Sequence, residues 1–323
     1  MNAVRSIVFV MFLFTCVIFH EISHSLVAQK FKIKVKHITL FPIGGIAFME
    51  RMPDKPKQEF LMSLAGPLFN IVLAVLLFYP LYLIMGRDIK ALSMANISFN
   101  SWRSTILWMY WINPMLALFN LLPAFPMDGG RALRAFLAAH MPFIKATRIA
   151  VSIGHFFAII FGLTAMIVQY PILMLIAFFI YIAASQEERQ VKLKYALKEF
   201  KVKDVAAGEY HSIRPDTPLS GVLELSLKTT QQDFPVVEGD RVLGILTRYN
   251  LISALHEHKG ENKAKEAMTK EVVRVSLGET LNSVYSKMAA ANSKTALILQ
   301  KGELKGIISV EDIARVYQLQ SSR

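Results

Sequence analysis

His20, Glu21 and His24 form an H-E-x-x-H pattern, a spacing suited to one kind of chemistry. On a helix the two imidazoles fall one turn apart on a single face. They can share one Zn²⁺, with the glutamate beside the open coordination position as general base. The setting is unusual for a hydrolase: residues 7–19 read IVFVMFLFTCVIF and run into His20 without a charge. Ionisable side chains at membrane depth are expensive and read by default as functional. The pattern supplies two protein ligands, whereas a catalytic zinc ordinarily has three.

Asp128 is a candidate for the third. It is the sole carboxylate between Asp88 and Glu187, and it lies in Asn120-Leu-Leu-Pro123-Ala-Phe-Pro126-Met-Asp128-Gly129-Gly130-Arg131. The two prolines stop a helix that begins near residue 106, and the two glycines are expected to free the backbone after the aspartate. Irregular backbone at membrane depth is tolerated where it is buried in protein or lines a polar cavity. A buried lone carboxylate needs a cation and a two-histidine metal needs another ligand, so each anomaly accounts for the other.

The elements that must position these residues are apolar. Hydrophobic residues make up 54% of the 323-residue chain and mean hydropathy is +0.40, which excludes an ordinary soluble protein throughout. Residues 1–186 carry 15 Lys and Arg against 6 Asp and Glu, whereas residues 187–323 carry 21 against 18. That shift in charge density places a domain boundary near residue 186, with a charged linker over residues 187–202. The basic excess lies between apolar segments, which points to membrane topology and not to nucleic acid. The single cysteine, Cys16, excludes internal disulfides and cysteine metal sites.

Five spans are expected, over about residues 4–28, 60–85, 106–120, 149–169 and 171–184, the last two joined as a tight helical hairpin. The first contains the motif and reads as a retained helix, not a signal peptide. Lys30, Lys32, Lys34 and Lys36 mark its cytoplasmic end, which puts the histidines roughly 9–15 Å below that surface at helical rise. The N-terminus then lies outside, and Arg131, Arg134, Lys145, Arg148 and residue 187 onward lie in the cytoplasm. Residues 37–50 are too short to span and are broken by Pro42, Gly44 and Gly45, so a membrane-associated β-hairpin is expected there. Its open edge could pair with an extended peptide. Asn70 reads as a hydrogen-bonding contact between helices, Gly66-Pro67 as a kink, and His155 as a packed histidine.

These motifs occur in a familiar order: His20–His24 in a spanning helix, Phe41-Pro42-Ile43-Gly44-Gly45, Gly66-Pro67 with Asn70, and Asn120…Pro123…Pro126-Met-Asp128-Gly129-Gly130. In this the chain resembles the site-2 protease (M50) family of intramembrane zinc metalloproteases. More narrowly it resembles the branch with appended CBS domains, which includes the sporulation protease that processes a pro-sigma factor. The resemblance implies that His20, His24 and Asp128 bind zinc and that Glu21 activates the bound water. It implies that Asn120 helps to position substrate or the developing oxyanion, and that the hairpin around Phe41, Pro42, Gly44 and Gly45 engages extended substrate. The substrate would be a transmembrane protein, such as a membrane-bound regulator or transcription factor precursor. The resembled branch usually has a helix before the H-E-x-x-H helix, for which a motif starting at residue 20 leaves no room.

Beyond residue 203 an internal repeat runs at a constant offset of 62 residues, in units 203–258 and 265–320. Ile213 aligns with Val275, Leu219 with Leu281, Val222 with Val284, and Gly244-Ile-Leu-Thr247 with Gly306-Ile-Ile-Ser309. Each unit reads as strand, helix, two strands and closing helix, an α/β fold. The units resemble a tandem CBS pair, which implies ATP or AMP in the clefts between repeats. Ser309 and Asp312 complete the signature of the second unit, whereas Thr247 is followed by Asn250 where an aspartate would contact ribose. A purely structural pair, used for dimerisation or docking, is the other reading. The expected fold is thus a polytopic helical membrane domain followed by an α/β CBS pair. An intramembrane zinc protease in the bacterial cytoplasmic membrane leads the functional readings. A CBS-regulated ion transporter or channel, with His20, Glu21, His24 and Asp128 along an ion pathway, is the alternative. Homo-oligomerisation through either half stays open.

Overall fold

The computed structural model describes residues 3–41, 44–49, 53, 55–93, 101–206, 210–239, 241–258 and 262–321. They form two compact units, Met1–Val191 and Lys192–Arg323. The first contains helices α1 (Ala3–Lys30), α2 (Pro56–Ile84), α3 (Trp102–Asn120), α4 (Asp128–Ala138) and α5 (Phe143–Val168) and most of α6 (Pro171–Glu199), with strands β1 (Val35–Phe41) and β2 (Gly44–Met49) between α1 and α2.

Its packing inverts that of a soluble bundle. Large apolar side chains such as Val75, Leu118 and Ile167 stand exposed, while His20, His24, Asn70, Asn113 and Arg134 are buried. That distribution suits a lipid surround, where helix association rests on close packing and polar contacts between helices. Among the described residues four helices, α1, α2, α5 and α6, are long and apolar enough to cross a membrane. The expected third span is the 19-residue helix α3, whose Arg103, Ser104, Thr105 and Asn113 dilute its apolar character and leave it outside that set. It packs against α1 and α2.

The expected hairpin is present. β1 and β2 pair antiparallel from Val35 opposite Met49 to Phe41 opposite Gly44, and β2 packs against α1. α2 runs unbroken through Pro67 and Pro80. α5 ends on Gln169 in the left-handed conformation, and α6 starts at Pro171, as a tight helical hairpin requires. His155 on α5 lies 3.0 Å from the Ser185 hydroxyl and stacks on Tyr181, a packed role as read.

Two expectations change. Asp128, Gly129 and Gly130 do not form a loop; they are the first turn of α4. Arg134, expected in a basic cluster with Arg131, Lys145 and Arg148, is instead enclosed by protein. It is 2% exposed and donates from Nε to Glu59 Oε1 on α2 at 2.9 Å, from Nη2 to the same oxygen, and from Nη1 to Glu187 Oε1 on α6 at 2.5 Å. The Phe125 and Phe143 rings each lie 4.9 Å from the guanidinium carbon. A planar guanidinium can serve two carboxylates and two ring faces at once, which an ammonium cannot.

The second unit realises the repeat. α7 (Leu219–Lys228), β3 (Phe234–Glu238), β4 (Arg241–Leu246) and α8 (Arg248–His258) are followed, after the short α9 (Ala264–Ala267), by β5 (Val273–Val275), α10 (Leu281–Ala290), β6 (Thr295–Gln300), β7 (Glu303–Ser309) and α11 (Val310–Ser321). β5 pairs parallel with β6 and β6 antiparallel with β7. In the first repeat the opening strand is reduced to one parallel bridge between Ile213 and Val236. Residues 62 apart occupy matching core sites: Leu219 and Leu281, Val222 and Val284, Val236 and Ile298, and Leu246 and Ile308 are all fully buried. Another matching pair joins the repeats directly, since Thr295 Oγ1 donates to Asp233 Oδ2 at 2.5 Å.

Because Arg134 is the cation that pairs with both Glu59 and Glu187, its loss leaves the carboxyl groups without a counter-charge. Arg134→Met is expected to destabilise the membrane unit by about 3–5 kcal/mol, read as a fall in thermal midpoint in detergent. The double variant Arg134→Met with Glu59→Gln should recover part of that loss.

Candidate metal centre

Along α1 the histidines project from successive turns, with ring centroids 4.8 Å apart and planes at 77°. His20 Nε2 and His24 Nε2 lie 3.1 Å apart. Asp128, from the start of α4, brings Oδ2 to 3.2 Å from His20 Nε2 and 3.1 Å from His24 Nε2. The three donors make a nearly equilateral triangle. Tetrahedral zinc with bonds of about 2.0–2.1 Å separates its ligands by about 3.3 Å, so donor set and spacing both fit that ion. Among the described residues this is the group of three or more His, Cys, Asp or Glu that could hold a metal ion.

The triangle is supported from α2. His24 Nδ1 lies 2.6 Å from the Met62 carbonyl and His20 Nδ1 lies 3.3 Å from Asn70 Oδ1. Each ring donates its Nδ1–H to an acceptor, which leaves the Nε2 lone pair directed at the cluster. Between those acceptors sits Gly66. A Cβ there would lie 2.5 Å from His20 Nε2 and 2.6 Å from its Cε1, and would strike His24 Nε2 as well. Met62, Gly66 and Asn70 thus form one stripe at four-residue spacing on α2, facing His24 and His20 on α1. Asp128 is set by a second close approach: a Cβ at Gly129 would meet the Leu121 and Leu122 carbonyls, and one at Gly130 would lie 2.6 Å from the Ala124 carbonyl carbon. The first turn of α4 therefore rests on the backbone that follows α3.

Residues 8–161 match Peptidase family M50, and residues 202–257 and 264–319 each match the CBS domain. Over 318 residues the chain is 34% identical to the zinc metalloprotease MJ0392 of Methanocaldococcus jannaschii, covering 98% of this chain and 87% of that protein. The chain belongs to peptidase family M50. It is a zinc metalloprotease, which decides between the enzyme and the ion pathway. The putative zinc metalloprotease Rip3 of Mycobacterium tuberculosis is 24% identical over 93% of this chain and 78% of its own. Stage IV sporulation protein FB of Bacillus subtilis is 29% identical over 45% of this chain and 46% of its own. Among solved structures, a site-2 protease from Methanocaldococcus jannaschii matches with 36% identity and a TM-score of 0.43, covering 55% of this chain and 76% of that one.

In this M50 protease Glu21 follows His20 on α1 and lies beside the hairpin. A Cβ at Gly45 would come 2.6 Å from Glu21 Cγ and 3.3 Å from its Cδ, so the β2 backbone passes directly over the glutamate. Phe41 and Gly44 are paired at the hairpin's end, and Pro42 lies outside the described residues. Asn120 ends α3, where its Nδ2 donates to the Leu116 carbonyl at 3.0 Å on the same helix. In the second repeat Ser309 Oγ accepts from the Asp312 N–H at 3.1 Å, while Asp312 Oδ2 accepts from Ser309 N and Oγ at 3.0 and 2.7 Å. These are the reciprocal bonds of a helix N-terminal capping box. Thr247 Oγ1 accepts from Asn250 N at 3.2 Å in the first repeat, but the Asn250 carboxamide turns to the Ala267 carbonyl at 3.1 Å.

The sequence suggests only a kink at Gly66-Pro67 and a helix contact at Asn70, whereas both stand at the metal centre, on one stripe with the Met62 carbonyl. The legible signal was a glycine and an asparagine four apart in an otherwise apolar helix. Gly66→Val is expected to purify with little or no zinc, whereas substitution of the exposed Leu68 by Val should leave metal content unchanged. Elemental analysis per chain decides this.

Proposed function

We propose that this M50 protease hydrolyses a peptide bond within or near a transmembrane segment of a membrane-bound regulator or transcription factor precursor. His20, His24 and Asp128 hold one zinc ion. The observation that carries this is their donor triangle, with sides of 3.1–3.2 Å. Zinc bound there supplies Lewis acidity toward the scissile carbonyl and acidifies a coordinated water. Glu21, next in sequence to one ligand, takes a proton from that water on its carboxylate and passes it to the leaving amine. Asn120 assists in orienting substrate at the end of α3.

Helical peptide bonds are shielded by their own hydrogen bonds, so a transmembrane substrate must unwind before it can react. The β1–β2 hairpin supports that step. Phe41 pairs with Gly44 at its end and β2 lies against Glu21, so an extended segment added to its edge, engaged through Phe41, Pro42, Gly44 and Gly45, would enter beside the general base. With α1 ending in Lys30 and the further lysines to Lys36, the N-terminus faces outside and the CBS pair lies in the cytoplasm, in a bacterial cytoplasmic membrane. Residues 1–186 are the protease domain, 187–202 the linker and 203–323 the CBS pair. The pair regulates the enzyme by binding ATP or AMP through Thr247, Asn250, Ser309 and Asp312, and it or the membrane domain mediates homo-oligomers.

Glu21→Gln should retain its zinc and lose about 10²- to 10⁴-fold in cleavage of a reconstituted substrate; full cleavage would remove Glu21 from its role. The same variant should trap substrate for identification by mass spectrometry. Titrating the full-length protein with ATP and with AMP in a calorimeter should give saturable heat with at least one of them, weakened by Asp312→Ala. No heat with either would leave the CBS pair without a nucleotide role.

A further inference from the structure

The two histidines of the triangle are held differently. His24 donates to a main-chain carbonyl, that of Met62, which any residue would supply. His20 donates to a side chain, Asn70 Oδ1. Asn70 is fully buried, and its Nδ2 has no hydrogen-bond partner. An asparagine that merely ties helices together would use its NH₂ as well as its carbonyl, because a buried unpaired donor is unfavourable. Here the only bond formed is the one to the imidazole. Gly66, one turn away on the same face of α2, leaves the space in which that imidazole stands.

We infer that Asn70 is a positioning residue of the metal centre: its carbonyl oxygen selects the Nδ1–H tautomer of His20 and fixes the ring so that Nε2 faces His24 and Asp128. An imidazole in neutral form carries one N–H, and the acceptor at one nitrogen decides which nitrogen keeps the lone pair. Without an acceptor at Nδ1 the proton can move to Nε2, and in that tautomer His20 is not a ligand. A cation at Nε2 in turn draws electron density from the ring and strengthens the Nδ1–H···Oδ1 bond, so the contact and the metal reinforce each other. The inference rests on zinc being held by His20, His24 and Asp128.

Chelator competition on the full-length protein in detergent measures zinc affinity directly. Asn70→Leu, which keeps the volume and removes the acceptor, should weaken zinc binding by about 10- to 100-fold. Asn70→Asp, which keeps an acceptor at that place, should restore it to the parent value or tighter. Cleavage by Asn70→Leu should recover as zinc is raised to saturation, with KM for the substrate unchanged, which a loss of helix packing would not produce. Asn70→Leu binding zinc as tightly as the parent would overturn the inference, and so would Asn70→Asp binding as weakly as Asn70→Leu. The underlying assignment is checked separately, since full zinc retention by His24→Ala and by Asp128→Ala would show that the metal lies elsewhere.

Discussion

Two imidazoles and a carboxylate sit within hydrogen-bonding distance of one another inside a bundle of apolar helices, and the membrane unit is built to make that tolerable. Each of these groups is costly to remove from water alone. Together they offer a cation three donors at tetrahedral spacing, and every remaining imidazole N–H already has an acceptor. Such convergence demands that α1, α2 and the start of α4 approach closely, and side-chain volume is what must yield. Gly66 gives way on α2, and Gly129 and Gly130 on α4, each where a single added carbon would strike a ligand or the backbone under it. Small residues at helix contacts are usual in membranes; here they coincide with the chemistry.

Orientation of Asp128 has a second origin further along its helix. Arg134 lies six residues along α4, about 9 Å at helical rise, and is bound to Glu59 on α2 and Glu187 on α6. A short helix fixed at its first turn by glycine packing and two turns on by a buried ion triad has little freedom to turn its first residue away. Pairs of this kind contribute little net stability, yet breaking one is severe, so their main effect is to specify one arrangement.

The CBS unit solves a different problem by repetition. Its matching apolar positions fill two similar cores, and the hydroxyl at the end of each second hairpin strand caps the helix that follows. Ser309 and Asp312, which cap the start of α11, are also the residues proposed to bind a nucleotide, and such binding would compete with a local capping bond. The first repeat departs from this through Asn250, whose carboxamide is engaged with Ala267.

How much of this was legible follows from where each constraint operates. His20, Glu21 and His24 could be read because helical periodicity alone places two imidazoles on one face, and Asp128 because a lone carboxylate in an apolar run has no local justification. The hairpin and the 62-residue repeat were equally local, marked by turn residues and by a recurring apolar pattern. The first turn of α4 was misread as a loop because two glycines disfavour helix in isolation, and only packing against the 121–125 backbone makes them necessary. Arg134 read only as one member of a basic cluster, because its partners Glu59 and Glu187 are 75 and 53 residues distant. Asn70 and Gly66 likewise acquire their roles only when α2 lies antiparallel to α1. The sequence by itself determined the chemistry, the membrane setting and the repeat, since these follow from residue type and spacing along one element. The tertiary structure decided which side chains orient that chemistry, because tautomer, ring angle and donor spacing depend on contacts between elements that no local pattern encodes.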